Sequence, residues 1–225
     1  MDFRTKAASR ADLQLPDLRA FPFVDPGDTA KHRALRLGCL TSDFSKLWNQ
    51  HASELDVAPW SLNDRRLSLE ADFKGPVSWD HTVPFRTEFA RRLALVEIDV
   101  LVAQALGLTL EQLIDIYRIY YPVMQQYENG TWFDQKGRIV WTCSKGLIGV
   151  GYMNEKGKSP GRKEWDAILA TNPDELVCTV IDNNFTDGPR EVERRFVGPF
   201  FTCDRIADYE RAWEHFEKSE QEGKL

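Results

Sequence analysis

Cysteines, histidines and paired acids are the residues through which this 225-residue chain could bind a metal or move a proton. Cys39, Cys143, Cys178 and Cys203 lie 104, 35 and 25 residues apart, so none forms the close pair that zinc and thiol–disulfide sites use. His32, His51, His81 and His215 include no two at i, i+4 helical spacing. Reduced structural thiols and capping or surface histidines are the expectation, with no metal and no cofactor.

The acids point to structure as well. Glu97 and Asp99 stand in one helical stretch, but two residues apart is about 200° of rotation, so they face away from each other. Glu97 shares a face with Gln104 and Asp99 with Arg92, which favours structural polar contacts over acid–base catalysis. Pro16-Asp17 and Asp72-Phe-Lys74 supply the letters of a metal-dependent nuclease site. Their 55-residue gap, with a predicted helix inside, is wider than two adjacent strands need, so a small nuclease stays an alternative only. There is no G-x-S-x-G elbow and no G-x-x-x-x-G-K loop. The glycine run Lys145–Gly151 lacks a strand–turn–helix frame and reads as a loop or strand bend. No catalytic residue is assigned.

Charge is more telling. The chain carries 29 Lys+Arg against 35 Asp+Glu, a net −6, which excludes a protein coated in basic charge. Residues 132–163 nevertheless hold +5, leaving −11 for the rest. Lys136, Arg138, Lys145, Lys156, Lys158, Arg162 and Lys163 stand there among Trp132, Trp141 and Tyr152. A basic, glycine-containing segment with aromatics on an acidic body is a local footprint for a polyanion, with a solvated lysine loop as the alternative. No run of about 18 apolar residues exists, and the first residues have no apolar signal centre, so the expectation is a cytoplasmic protein without a membrane partner.

These residues must be held by a scaffold that the patterning outlines. Residues 1–31, broken by Pro16, Pro22 and Pro26, read as an extended arm, and 32–225 as one domain. Thr41 caps a predicted helix from Ser42 to about Glu54, with Phe44, Leu47 and Trp48 on one side. Residues 55–85, with Pro59, Pro76, Pro84, Trp60 and Trp79, read as a long loop pinned by aromatics, and Leu67–Phe73 alternates like a strand. From Arg86, apolar residues cover a helix nearly all round, the mark of a buried one. Gly107 ends it, Thr109 and Gln112 form a capping box for a second helix, and Pro122 stops that one. This helical hairpin is the expected core. It also mimics a DNA-reading helix–turn–helix, with Ala103, Gly107, Leu113 and Ile116 in the motif's spacing. Glu111 and Asp115 at the reading positions would be repelled by phosphates. Thr131–Trp141 then reads as a hairpin turning at Gln135–Gly137, and Leu176–Asp182 and Glu191–Val197 as two more strands. Asp204 to about Ser219 reads as an amphipathic helix with Ile206, Tyr209, Trp213 and Phe216 inward. Helices first and strands later, without βαβ alternation, indicate an α+β fold.

Three stretches together resemble a known family: Arg33–Thr41 running into Leu47-Trp48, Arg91–Leu108 (RRLALVEIDVLVAQALGL), and Asp204–Phe216 (DRIADYERAWEHF). The chain resembles the C-terminal region of large bacterial adenine-specific DNA methyltransferases, those of type IIG restriction enzymes and of DISARM and phage-growth-limitation defence systems. The family's (N/D)PP(Y/F) tetrapeptide, which holds the flipped adenine, and its glycine-rich S-adenosylmethionine loop are both absent here. The resemblance therefore implies a non-catalytic module or split subunit of a restriction-modification or antiviral assembly. Its implied partner is a methyltransferase or helicase subunit, and its basic segment would touch DNA phosphates. The alternative is a protein-interaction subunit without DNA contact, using the acidic surface and the 55–85 loop.

Overall fold

A computed structural model describes residues 23–55, 57–62, 78–147, 149–183 and 185–221. Within these the chain forms seven α-helices and two antiparallel two-stranded sheets, an α+β fold with a C-terminal helix. The possible strand Leu67–Phe73 and the nuclease letters Asp17, Asp72 and Lys74 lie outside the described residues.

Helix α1 (Gly27–Gly38) is the first departure from expectation, because the arm was expected to run to residue 31. Its buried face is Thr29, Ala30, His32, Arg33 and Arg36, mostly polar, so no apolar periodicity announces it. The expected Ser42–Glu54 helix is α2 (Ser45–His51) flanked by 3₁₀ turns at Ser42–Phe44 and Ala52–Glu54. Thr41 does not cap it; its hydroxyl donates to the Asp43 carboxylate at 3.1 Å instead. Trp48 is buried, while Phe44 and Leu47 remain exposed.

Helix α3 (Glu88–Ala105) is the axis of the fold. Thr87 accepts the Ala90 N–H at its start, and it buries nine residues, from Phe89 to Ala103. Gly107, at φ 71°, turns the chain in the left-handed conformation that side chains resist. The Thr109–Gln112 capping box then opens α4 (Leu110–Tyr120), both of its bonds formed. Pro122 ends α4 and also starts α5 (Pro122–Asn129), occupying the first-turn position where its missing N–H costs nothing. Helix α3 packs most extensively on α1 and on α7 (Arg205–Gln221), and less on α4. Helix α7 contributes Tyr209, Ala212, Trp213 and Phe216 to the core, while Ile206 packs at its margin.

The strands build around a second hydrophobic cluster. β1 (Thr131–Phe133) pairs with β2 (Ile139–Thr142), with a register shift after Trp132. Helix α6 (Arg162–Ala170) follows a long loop and buries Trp165. β3 (Glu175–Asp182) and β4 (Arg190–Val197) form an eight-residue ribbon in unbroken register. Val140, Trp141, Met153, Trp165, Cys178 and Phe196 make this cluster. Trp141 and Trp165 stack with planes 5° apart and centroids 5.8 Å apart, and Trp132 meets Trp165 edge-on at 6.2 Å. Stacked aromatics bury a large apolar area on few side chains, which lets four short strands and one helix hold together.

Candidate nucleic-acid interface

The loop from Cys143 to Gly161 carries three of the seven predicted cations, Lys145, Lys156 and Lys158, and backbone bonds fix its course. Tyr152 N–H donates to Val140 O at 2.8 Å, and Trp141 Nε1 donates to Pro160 O at 2.8 Å. Arg194 reaches from β4 to Gly149 O at 2.8 Å. Gly151 is required where the loop crosses β2, because a Cβ there would stand 2.3 Å from Val140 O. At the next turn, Asn154 Oδ1 accepts the N–H groups of Lys156 and Lys158, both at 3.1 Å. The lysine-bearing tip is thus built on a side-chain-stabilised turn.

The cations sort by what they touch. Lys145 and Lys158 line one cleft of about 370 Å³ with Thr142, Ser144 and Ser159. Lys156 shares the turn with Lys158, and Lys163 opens α6 a few residues on. All four are exposed, and among the described residues none forms an ion pair. Arg162 is held by Asp166 at 3.0 Å, its guanidinium 5.5 Å from the Trp141 ring centre. Arg138 is bound to Asp134, whose carboxylate is wholly buried and also accepts the N–H groups of Lys136 and Arg138. Lys136 is exposed but sits on the β1–β2 turn, at the opposite end of β2 from Lys145. Of the seven predicted contacts, four lysines therefore gather at one end, two arginines are paired with acids four residues away, Arg162 at the surface, and Lys136 stands apart.

The acids of α3 join two ion clusters, each with its own arginine. Glu97 is 0% exposed and binds Arg33, itself 3% exposed, at 2.9 Å. Its other oxygen accepts Ser61 N–H at 2.7 Å and Ser61 O–H at 2.8 Å. Arg33 also donates to Ala58 O and lies over the Trp60 ring, 4.1 Å from its centre. Asp99 instead accepts from Arg205 at 2.8 Å and from the Tyr209 hydroxyl at 2.7 Å. Arg205 and Arg92 share Glu128, and Arg92 binds Asp208 at 2.6 Å. The pairings suggested by helical faces, Glu97 with Gln104 and Asp99 with Arg92, give way to these arginines brought from other elements.

Burial, with Glu128 beside it, pushes the Tyr117 hydroxyl up to about 12. Burial next to Asp99 raises Tyr209 as well. Burial opposes the charge on Arg205, but Tyr209, Glu128 and Asp99 outweigh it and raise its pKa. Two protonated tyrosines and fixed guanidiniums make a static brace across α3, α4, α5 and α7. His32, buried against Trp48, is held down to about 3 by burial and by Arg33 and Arg36.

Helices α4 and α5 carry a run of partly exposed apolar side chains. Ile116, Ile119, Tyr120, Tyr121, Val123 and Tyr127 are exposed along α4 and α5, Ile119 by 66%. In the helix–turn–helix spacing Leu113 and Ile116 should both be inward positions; Leu113 is, but its inward companions are Ile114 and Tyr117, and Ile116 is exposed. Glu111 and Asp115 are exposed. Among the described residues, no three His, Cys, Asp or Glu side chains converge as metal ligands would, and no helix is long and apolar enough to cross a membrane. No family model matches the chain, and no curated protein or solved structure matches it significantly.

Proposed function

We propose that this chain is a non-catalytic module or split subunit of a bacterial DNA modification or phage-defence assembly, docking a partner and touching the DNA backbone. The observation that carries the DNA half is the grouping of Lys145, Lys156 and Lys158 on a loop braced by backbone bonds with Lys163 in the first turn of α6, all exposed and, among the described residues, without acidic partners. Lysines of this kind bind phosphates as point charges; they position a complex and carry little sequence information. Lys136, Arg138 and Arg162 are secondary. The exposed aromatic and aliphatic face of α4 and α5 supports the docking half, because Tyr-rich apolar patches are the usual anchors of protein interfaces. The partner is a methyltransferase or helicase subunit supplying the chemistry, as the family resemblance implies.

Duplex DNA titrated at rising salt tests the first half. Four phosphate contacts predict a log–log slope near −3 to −4, about two orders of magnitude in affinity between low and physiological salt. Lys156→Glu with Lys158→Glu should weaken binding equally for unrelated sequences. A titration indifferent to both salt and charge reversal removes DNA and leaves a protein-interaction subunit, for which co-purification of a methyltransferase or helicase subunit free of nucleic acid is the test.

A further inference from the structure

Among the described residues, one backbone edge of the β3–β4 ribbon is unused. Its register runs without a bulge from Glu175↔Val197 to Asp182↔Arg190, and Gly198 N–H donates to Asp174 O just before it. In an antiparallel ladder, alternate residues exchange both backbone bonds with the partner strand while those between point outward. Counting from the 174–198 pair, Leu176, Cys178, Val180 and Asp182 face β4, and Val177, Thr179 and Ile181 point their N–H and C=O groups away from it. Among the described residues nothing bonds those outward groups. The side chains of the same three residues stand on the solvent face, Val177 41% and Ile181 67% exposed, whereas Cys178 on the other face is buried. Natural edge strands are guarded by proline, inward lysine or a bulge; β3, ELVCTVID, has none of these. A cleft of about 730 Å³ beside the ribbon is lined by Val177–Ile181 and Arg194 together with Tyr152, Met153 and Asn154, the last three on the side of the buried Cys178, whose Sγ accepts the Met153 N–H.

We propose that this edge pairs with the same edge of a second copy of the chain, antiparallel about a two-fold axis through Thr179, to give one four-stranded sheet. Such an axis makes every residue meet its symmetry mate's counterpart, so the strand must be complementary to itself. It is. Thr179 meets Thr179, where hydroxyls can bond each other, and Val177 meets Ile181, covering the most exposed aliphatic side chain of the ribbon. Residues 176–181 contain no charge, although the chain carries −6. The flanking acids also avoid each other: Asp182 falls opposite Leu176, and Glu175 opposite Asn183. Two acidic molecules thus meet along a stretch where no like charges stand directly opposite.

Light scattering on the full chain across a concentration series reads the result directly. The wild type should pass from 25.9 kDa to twice that mass. Thr179→Lys should stay monomeric, because it sets like charges opposite each other across the axis while facing Glu193 within its own ribbon, where an opposite charge is welcome. Its circular dichroism should match the wild type. Thr179→Cys is the second arm, since backbone-paired residues are about 5.5 Å apart between Cα atoms, within disulfide reach. Mild oxidation should crosslink Thr179→Cys into a dimer and leave the wild type, with its four native thiols, uncrosslinked. If Thr179→Lys misfolds, the crosslink decides alone. A wild type that is monomeric throughout, whatever other strand its edge accepts, overturns self-pairing. So does a dimer indifferent to Thr179→Lys, or a Thr179→Cys chain that fails to crosslink. None of these readouts depends on DNA binding.

Discussion

The helical region and the tryptophan-centred region use positive charge in opposite ways. Around α3 the cations are arginines, drawn inside and matched: Arg33 to Glu97, Arg92 to Glu128 and Asp208, Arg205 to Asp99 and Glu128. Around Trp141 and Trp165 the cations without acidic partners among the described residues are lysines, exposed on a loop and at the start of α6. The planar guanidinium satisfies several acceptors at once and tolerates burial; the compact, strongly hydrated ammonium does not. A count of basic residues therefore hides two arrangements, internal bracing in one region and, on the proposed reading, attraction of phosphates in the other.

The largest effect should come from breaking a buried pair. Glu97→Ala leaves Arg33 charged and enclosed, and should cost about 3–5 kcal/mol in urea unfolding. Replacing both partners by apolar residues, Arg33→Met with Glu97→Leu, should recover most of it. If the double variant is no better than the single, the pair is doing something other than balancing charge. In the other region, Trp165→Ala should cost about 3–5 kcal/mol through lost packing alone, with no dependence on salt.

His32 gives a smaller, pH-tuned effect. Its folded pKa near 3 lies below the ordinary histidine value of 6.5, so between those limits the unfolded chain binds the extra proton. Stability should hold above pH 6.5 and fall as pH drops toward 3, by on the order of 2–3 kcal/mol from this residue by pH 4. His32→Gln should lose that part of the slope; an unchanged slope would mean the imidazole is not kept neutral by burial. The smallest stability effect belongs to the lysines. Reversing Lys145, Lys156, Lys158 and Lys163 should shift stability by roughly 0.5 kcal/mol or less each, while abolishing any salt-dependent DNA contact. A large loss of stability would make them structural and erase the contrast between the regions.

Much of the scaffold was legible because it rests on local chemistry. Apolar coverage of Phe89–Ala103, the Gly107 turn, the Thr109–Gln112 box and the alternation of β3 and β4 are written in short windows. Helix α1 was not, because its inward face is Thr29, His32, Arg33 and Arg36, residues that look solvent-facing until their partners arrive from 25 to 64 positions away. Helix α6 was missed for a similar reason: in RKEWDAILA only Trp165 is buried, too little to set a period. The basic segment was visible as a charge imbalance, but its division was not: Arg138–Asp134 and Arg162–Asp166 are both four residues apart, and they pair only because the tight β1–β2 turn and the unpredicted helix α6 put that spacing face to face.

Composition and periodicity alone settled that this is an α+β chain with a buried helix, a capped second helix, paired strands and an amphipathic end, because propensity, capping and turn chemistry act within a few residues. Which arginine answers which acid, which four lysines stand together, and which strand edge is left open were decided only in three dimensions. Long-range pairing depends on which elements the core brings into contact, and no short window of sequence contains that information.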